Sequence, residues 1–198
     1  MTQVLLSAPR AGSSYGYEMV HYYNINLPNV KYIGVEEYFD PHQISHLSLL
    51  DKIDFLNSEK QKGTHYTFKH HINYLGNHYE TWFKDFYKND EILVLKRKDE
   101  WKWFLSFLFQ DHVGWKLSHF TKDTKIEIET HWKEYGYYKT LNQFFDIKSQ
   151  LDRCEGNVIY YEDLKHQAVK NHKLSNYINY ETYFDNINDI KKEFLKLC

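Results

Sequence analysis

V-L-L-S-A-P-R-A-G-S-S-Y, residues 4–15, is the stretch on which the reading of the fold turns. A run of aliphatic residues leads into Ser7, Ala8 and Pro9, and Pro9 ends a strand because proline has no N–H to give to a ladder. A continuous apolar run, without alternation, marks a strand buried on both faces, as in a parallel sheet. Ala11, Gly12, Ser13 and Ser14 then have the small and capping residues of a tight turn that opens a helix. Such a helix start turns unpaired N–H groups and the positive end of its dipole outward, which favours an anion. Gly12 lets the backbone approach that anion, Ser13 and Ser14 offer hydroxyls, and Arg10 brings a fixed positive charge. An ordinary Gly/Ser cap after a strand explains the same residues with no ligand. The loop of the common nucleoside-triphosphate enzymes, G-x-x-x-x-G-K-[ST], is absent, so ATP or GTP hydrolysis is not indicated.

Outward from this loop, short apolar runs alternate with longer amphipathic ones. That rhythm predicts an α/β fold of three layers, with a mostly parallel central sheet flanked by helices. Strands are expected over 3–8, 30–35, 66–69, 91–95 and 157–160. Helices are expected over 12–23, 43–59, 80–88, 98–110, most of 123–152 with a break near Gly136, and 181–197. A turn is expected at Asp40-Pro41, and Ile44, Leu47, Leu50, Ile53 and Leu56 read as the apolar face of the second helix. No linker, repeat or low-complexity stretch divides the 198 residues, so one domain, 1–198, is expected.

Composition removes several function classes. Hydrophobic residues at 42% and aromatics at 18% exclude a disordered chain. A net charge of −2, from 25 basic and 27 acidic residues, argues against a general nucleic-acid or membrane-surface binder. It leaves room for a local basic pocket. No run approaches the ~18 apolar residues of a membrane span, and the start lacks the basic leader of a signal peptide. A cytoplasmic protein is expected. Cys154 and Cys198 have no metal or redox spacing, and the 12 histidines show no ligand pattern, so no metal is expected. The 18 tyrosines and 5 tryptophans suit either a core or an aromatic-lined pocket for a carbohydrate or phenol.

Five segments, in order, resemble the superfamily of sulfotransferases that use 3′-phosphoadenosine 5′-phosphosulfate (PAPS). Pro9, Arg10, Gly12, Ser13, Ser14 and Tyr15 match the 5′-phosphosulfate loop, P-[KR]-[ST]-G-[ST]-[ST]-[WYF]; Ala11 departs from it and costs one hydroxyl. G-V-E-E-Y-F-D-P, residues 34–41, is similar to the segment of bacterial trehalose-type enzymes that implies an acidic general base, here Glu37. T-F-K-H-H, residues 67–71, resembles the I-K-T-H motif of the cytosolic enzymes, which implies Lys69 on the bridging oxygen and His71 as the base. In L-K-R-K-D-E-W-K-W-F-L-S-F-L, residues 95–108, Ser106 with either Arg97 or Lys98 corresponds to the 3′-phosphate site. N-V-I-Y-Y-E-D-L, residues 157–164, places Tyr161 near the adenine.

What the resemblance implies is in-line transfer of a sulfuryl group from PAPS to an acceptor hydroxyl, on a carbohydrate or other small molecule, without a metal. Arg10 and the loop from Ala11 to Tyr15 would hold the phosphosulfate, and Lys69 would stabilise the leaving oxygen. An imidazole poised near neutrality favours His71 over Glu37 as the base. The chain is short for the superfamily and lacks the R-K-G segment of the cytosolic enzymes. Its abundant Lys, Asn, Ile and Tyr suggest an AT-rich bacterial or viral coding sequence. Two alternatives stay open: a non-catalytic nucleotide- or partner-binding protein on the same fold, and a different nucleotide enzyme such as a small kinase.

Overall fold

The structure, a computed structural model, describes residues 3–12, 16, 30–37, 48–75, 80, 83–113, 125–127, 137–164 and 179–198. The chain forms two compact units, Met1–Lys98 with Gln150–Val169 and Asp99–Ser149 with Lys170–Cys198.

The first unit is an α/β structure around five parallel strands: β1 Gln3–Ser7, β2 Val30–Glu37, β3 His65–His71, β4 Glu91–Lys96 and β5 Asn157–Tyr160. Their order across the sheet is β2-β3-β1-β4-β5. The central strand is the apolar run of the opening loop, and Val4, Leu5, Leu6, Ser7 and Ala8 are wholly buried. At the edge, β5 exposes Val158 and Tyr160. The second and third strands run longer than their apolar residues suggest, to Glu37 and to His71.

Register and the two-residue alternation of a strand sort the side chains onto two faces. Leu5, Ser7, Lys69, His71, Leu93 and Leu95 share one face; Leu6, His70 and Val94 point to the other. Gly16 crosses the first face, where an added Cβ would come 2.9 Å from Leu95 and 3.3 Å from Leu5. The second face meets Phe83 and Tyr87, which lie 5.4 and 6.2 Å from the His70 ring. Two short helices, α2 Ile72–Leu75 and α3 Lys84–Phe86, form in this region. Of the expected helix over 80–88, residues 80 and 83 are π-helical, Lys84–Phe86 are α-helical, and residues 87–88 form a turn.

Between β2 and β3 runs α1, Leu49–Gln61, started by a capping box between Ser48 and Asp51. Lys60 ties it to the α3 segment by donating to the Phe86 carbonyl and to Asp90 Oδ2, both at 2.6 Å. The inner face of α1 is Lys52, Leu56 and Glu59, while Leu50 is 70% exposed. The expected apolar row is therefore corrected: a step of three residues falls about 60° short of a full turn, so a strict three-residue row winds around the helix. Ile44 and Leu47 of that row lie outside the described residues, as do the Asp40-Pro41 turn and most of the first expected helix.

The second unit is helical and aromatic. It contains α4, Glu100–Val113, most of α5, Tyr137–Asp152, and α6, Ile187–Leu195. Every residue from Trp103 to Phe109 is buried, the pattern of a helix enclosed on all sides. Phe104 stacks on Phe194 at 5.0 Å and meets Phe144 edge-on at 5.3 Å, contacts worth about 0.5–1.5 kcal/mol each beyond their area. Tyr137 donates its hydroxyl to the Ile190 carbonyl at 2.8 Å, which satisfies a buried O–H. Helix was expected from residue 123, but residues 125–127 are extended, and Ile126 bridges Phe184. No helix among the described residues is long and apolar enough to cross a membrane.

The burial pattern of α1 predicts that Leu56→Ala lowers stability by about 2–5 kcal/mol. Leu50→Ala should change it by less than about 0.5 kcal/mol. Urea unfolding followed by circular dichroism separates the two.

Candidate functional site

The strand order creates one place where ligands collect in open parallel sheets. From β1 the chain goes to β2 on one side, and from β4 it goes to β5 on the other. Because β1 and β4 are neighbours, their connections diverge and leave a crevice at their carboxyl ends. Arg10, Arg97 and Tyr161 all follow the ends of these central strands or of β5. Lys69 and His71 end β3, on the other side of β1.

The loop after β1 is tightly wound. Ala11 N–H donates to the Ala8 carbonyl at 3.1 Å, which closes a turn around Pro9 and Arg10. Arg10 has φ 62°, a left-handed conformation that costs a residue with a Cβ about 1–2 kcal/mol. Gly12 has φ 88°, and its carbonyl accepts from Gly16 N–H at 3.0 Å, the bond that begins a helix. A Cβ on Gly12 would stand only 2.2 Å from Tyr161 Cδ2, so the tyrosine ring fills the space that any other residue needs. Ser13, Ser14 and Tyr15 lie outside the described residues.

Tyr161 is itself held by Arg97, whose guanidinium carbon lies 4.5 Å from the ring centroid. Arg97 Nε donates to Glu162 Oε1 at 2.7 Å, and Lys98 N–H donates to Glu162 Oε2 at 3.0 Å. Burial works to raise the Glu162 carboxyl, but these donors outweigh it and hold the group below its ordinary value. Lys98, half exposed, pairs with Asp163. The adjacent cations Arg97 and Lys98 therefore have their counter-charges within the chain. The chain supplies Glu162 and Asp163 as counter-charges, and Asp99 caps α4 by accepting from Lys102 N–H at 2.9 Å. The sequence carried a signal for this: an acidic pair after β5 stands beside a basic pair after β4, with Lys96 opposite Tyr160.

The end of β3 is the least expected part. Lys69, His70 and His71 are 2%, 1% and 9% exposed, three polar side chains in succession inside a parallel sheet. Lys69 and His71 share the face of Ser7, with Ser7 opposite His71, whereas His70 turns to the aromatic side. Glu37 of β2 is in register with Lys69 after a shift in the pairing. Ser7 Oγ is buried and has no hydrogen-bond partner among the described residues. Burial drives His71 down to about 3, with the charge of Lys69 adding to the effect, and burial alone drives His70 down to about 3. The expectation of an imidazole poised near neutrality is corrected accordingly. His71 is neutral at physiological pH but a weak proton acceptor.

Ser106 is buried in α4 and belongs to the second unit, whereas Arg97 and Lys98 belong to the first. Arg10, Lys69, His71, Arg97, Lys98, Tyr161 and the backbone of Glu37 all lie in the first unit, at the carboxyl ends of its strands. The opposite end of the sheet holds a shallow cavity of about 360 Å³, lined by Lys84, Tyr87, Lys88, Glu91, Glu155 and Asn157 among others. Its chemistry is partly self-neutralised, since Lys84 pairs with Glu155 at 2.7 Å and Glu80 at 3.4 Å. Among the described residues no three His, Cys, Asp or Glu side chains gather as metal ligands.

Two measurements check this geometry. Gly12→Ala must displace the Tyr161 ring and adopt an unfavourable φ, so it should cost at least about 1–3 kcal/mol in urea unfolding. The two depressed histidines give a pH signature. Below the unfolded value of 6.5 the unfolded chain binds protons that the folded chain refuses, so stability falls as pH drops from 6.5 towards about 3. His70→Phe removes one such site, and its stability relative to wild type should rise by about 1.4 kcal/mol per pH unit below about 5.5. Comparison with known proteins brings no relative to this site: no family model, no curated protein and no solved structure matches the chain.

Proposed function

We propose that the chain is a cytoplasmic sulfotransferase that moves a sulfuryl group from PAPS to an acceptor hydroxyl on a carbohydrate or other small molecule. The observation that carries this reading is the buried Lys69 on the strand beside the left-handed Arg10 turn, at the point where the strand connections diverge. An ammonium at 2% exposure acts through low-polarity surroundings, where its charge is screened less than in water, and the helix start after Gly12 favours the same anionic charge.

The donor set suits a phosphosulfate. Arg10 and the amides from Gly12 to Ser14 hold its oxygens, and Lys69 offsets charge that accumulates on the leaving oxygen. Sulfuryl transfer of this kind depends on positioning and electrostatics more than on covalent help from the protein, as phosphoryl transfer does. The 3′-phosphate side has less cationic charge to spare, because Arg97 is paired with Glu162 and Lys98 with Asp163. Tyr161, held by Arg97, offers an aromatic face for the adenine. Between the two candidate bases, the low proton affinity of His71 and the register of Glu37 with Lys69 favour Glu37.

Calorimetric titration with 3′-phosphoadenosine 5′-phosphate, AMP, ADP and ATP–Mg tests the reading. Selective binding of the 3′-phosphorylated nucleotide is expected, with at least about ten-fold weaker binding in Arg10→Gly. Glycine relieves the left-handed strain at this position, so the variant should remain as stable as wild type and the loss is not one of folding. A preference for ATP–Mg would instead support a kinase-like enzyme, and donor-site binding without turnover in an acceptor screen would support the non-catalytic alternative.

A further inference from the structure

The sulfotransferase reading leaves Ser7 unused, and it is the residue whose burial is hardest to explain. It is wholly enclosed at the carboxyl end of the central strand, and its hydroxyl has no hydrogen-bond partner among the described residues. Leaving a buried hydroxyl unsatisfied costs about 1–3 kcal/mol, and alanine would fill the same position without that cost. Alternation puts Ser7 on the face of Leu5, Lys69 and His71, the face that the turn from Gly12 to Gly16 crosses. Ser7 thus shares the sheet face that Gly16 approaches and stands one residue before Ala8, whose carbonyl closes the Arg10 turn.

We infer that Ser7 is an oxyanion-binding residue: its Oγ–H donates to an oxygen of the phosphate or sulfate group held by the loop after β1. This rests on the donor site proposed above but assigns it a ligand that the loop motif does not contain. The loop has Ala11 where a hydroxyl residue would add a donor, and Ser7 supplies a donor from the end of β1 instead. Two roles combine at the strand end. Lys69, on the same face, contributes charge, while Ser7 contributes a short directed bond whose geometry is fixed by a strand rather than by the loop.

The test compares wild type, Ser7→Ala and Ser7→Thr by calorimetry with 3′-phosphoadenosine 5′-phosphate, ATP–Mg and inorganic pyrophosphate as probes, alongside unfolding without ligand. Ser7→Ala should bind the preferred probe about ten-fold more weakly, with unfolding stability equal to wild type or higher. Ser7→Thr, which keeps the hydroxyl, should restore most of the affinity. Equal affinity in wild type and Ser7→Ala would overturn the assignment while leaving the donor reading intact. A ten-fold loss with ATP–Mg or pyrophosphate, and no preference for the 3′-phosphorylated nucleotide, would uphold Ser7 and sink the donor reading. If wild type binds none of the probes, or if Ser7→Ala is markedly less stable without ligand, Ser7 has no such role.

Discussion

A strand enclosed on both faces and paired on both edges has only its ends in which to place polar chemistry. In the first unit that strand is β1, and the constraint governs its surroundings. Val4 to Ala8 leave no exposed surface, so β3 and β4 must flank it and further layers must cover both faces. The strand order that results makes the connections diverge at the carboxyl end, and the Arg10–Gly12 turn sits at that divergence. Polar side chains in the interior gather at this same end, with Ser7, Lys69 and His71 on one face of adjacent strands.

Two kinds of electrostatic arrangement meet there. On the β4–β5 side the cations are already answered: Arg97 has Glu162 and the Tyr161 ring, and Lys98 has Asp163. On the β1–β3 side, charge and hydroxyl are buried deeply and low polarity depresses both neighbouring histidines. The first arrangement is rigid and near neutral, and suits holding a ring or a register. The second holds its charge and its hydroxyl in the interior, where any electrostatic interaction is screened less than at the surface.

Much of the fold was legible because apolar runs decide which strands are interior. The five strands, the α4 helix and the tail helix all follow from hydrophobic pattern, and the strand at Asn157–Tyr160 matches to the residue. The end of β3 was harder. A stretch reading K-H-H has no strand signal of its own, and only its pairing with β1 carries it to His71. The α1 face was misread because a three-residue spacing resembles a helical stripe over two turns but drifts over four. At the site, Arg10, Gly12, Lys69 and Tyr161 were visible as residue types in a pattern. Ser7 was hidden by its position inside an aliphatic run, and the pKa of His71 by the absence of any sequence signal for depth. Glu162 was readable only as a helix start until register set it beside Arg97.

The contact between Gly12 and Tyr161 has a consequence for how such a chain changes over generations. The tyrosine ring stands where a Cβ at position 12 would be, and the Arg97 guanidinium packs on the same ring. A smaller side chain at 161 would clear the ring from position 12, leaving only its left-handed φ to favour glycine, and would also release Arg97. Change at 161 is therefore felt at both of the others, while glycine at 12 is held by its own backbone even in a descendant that has lost the ring.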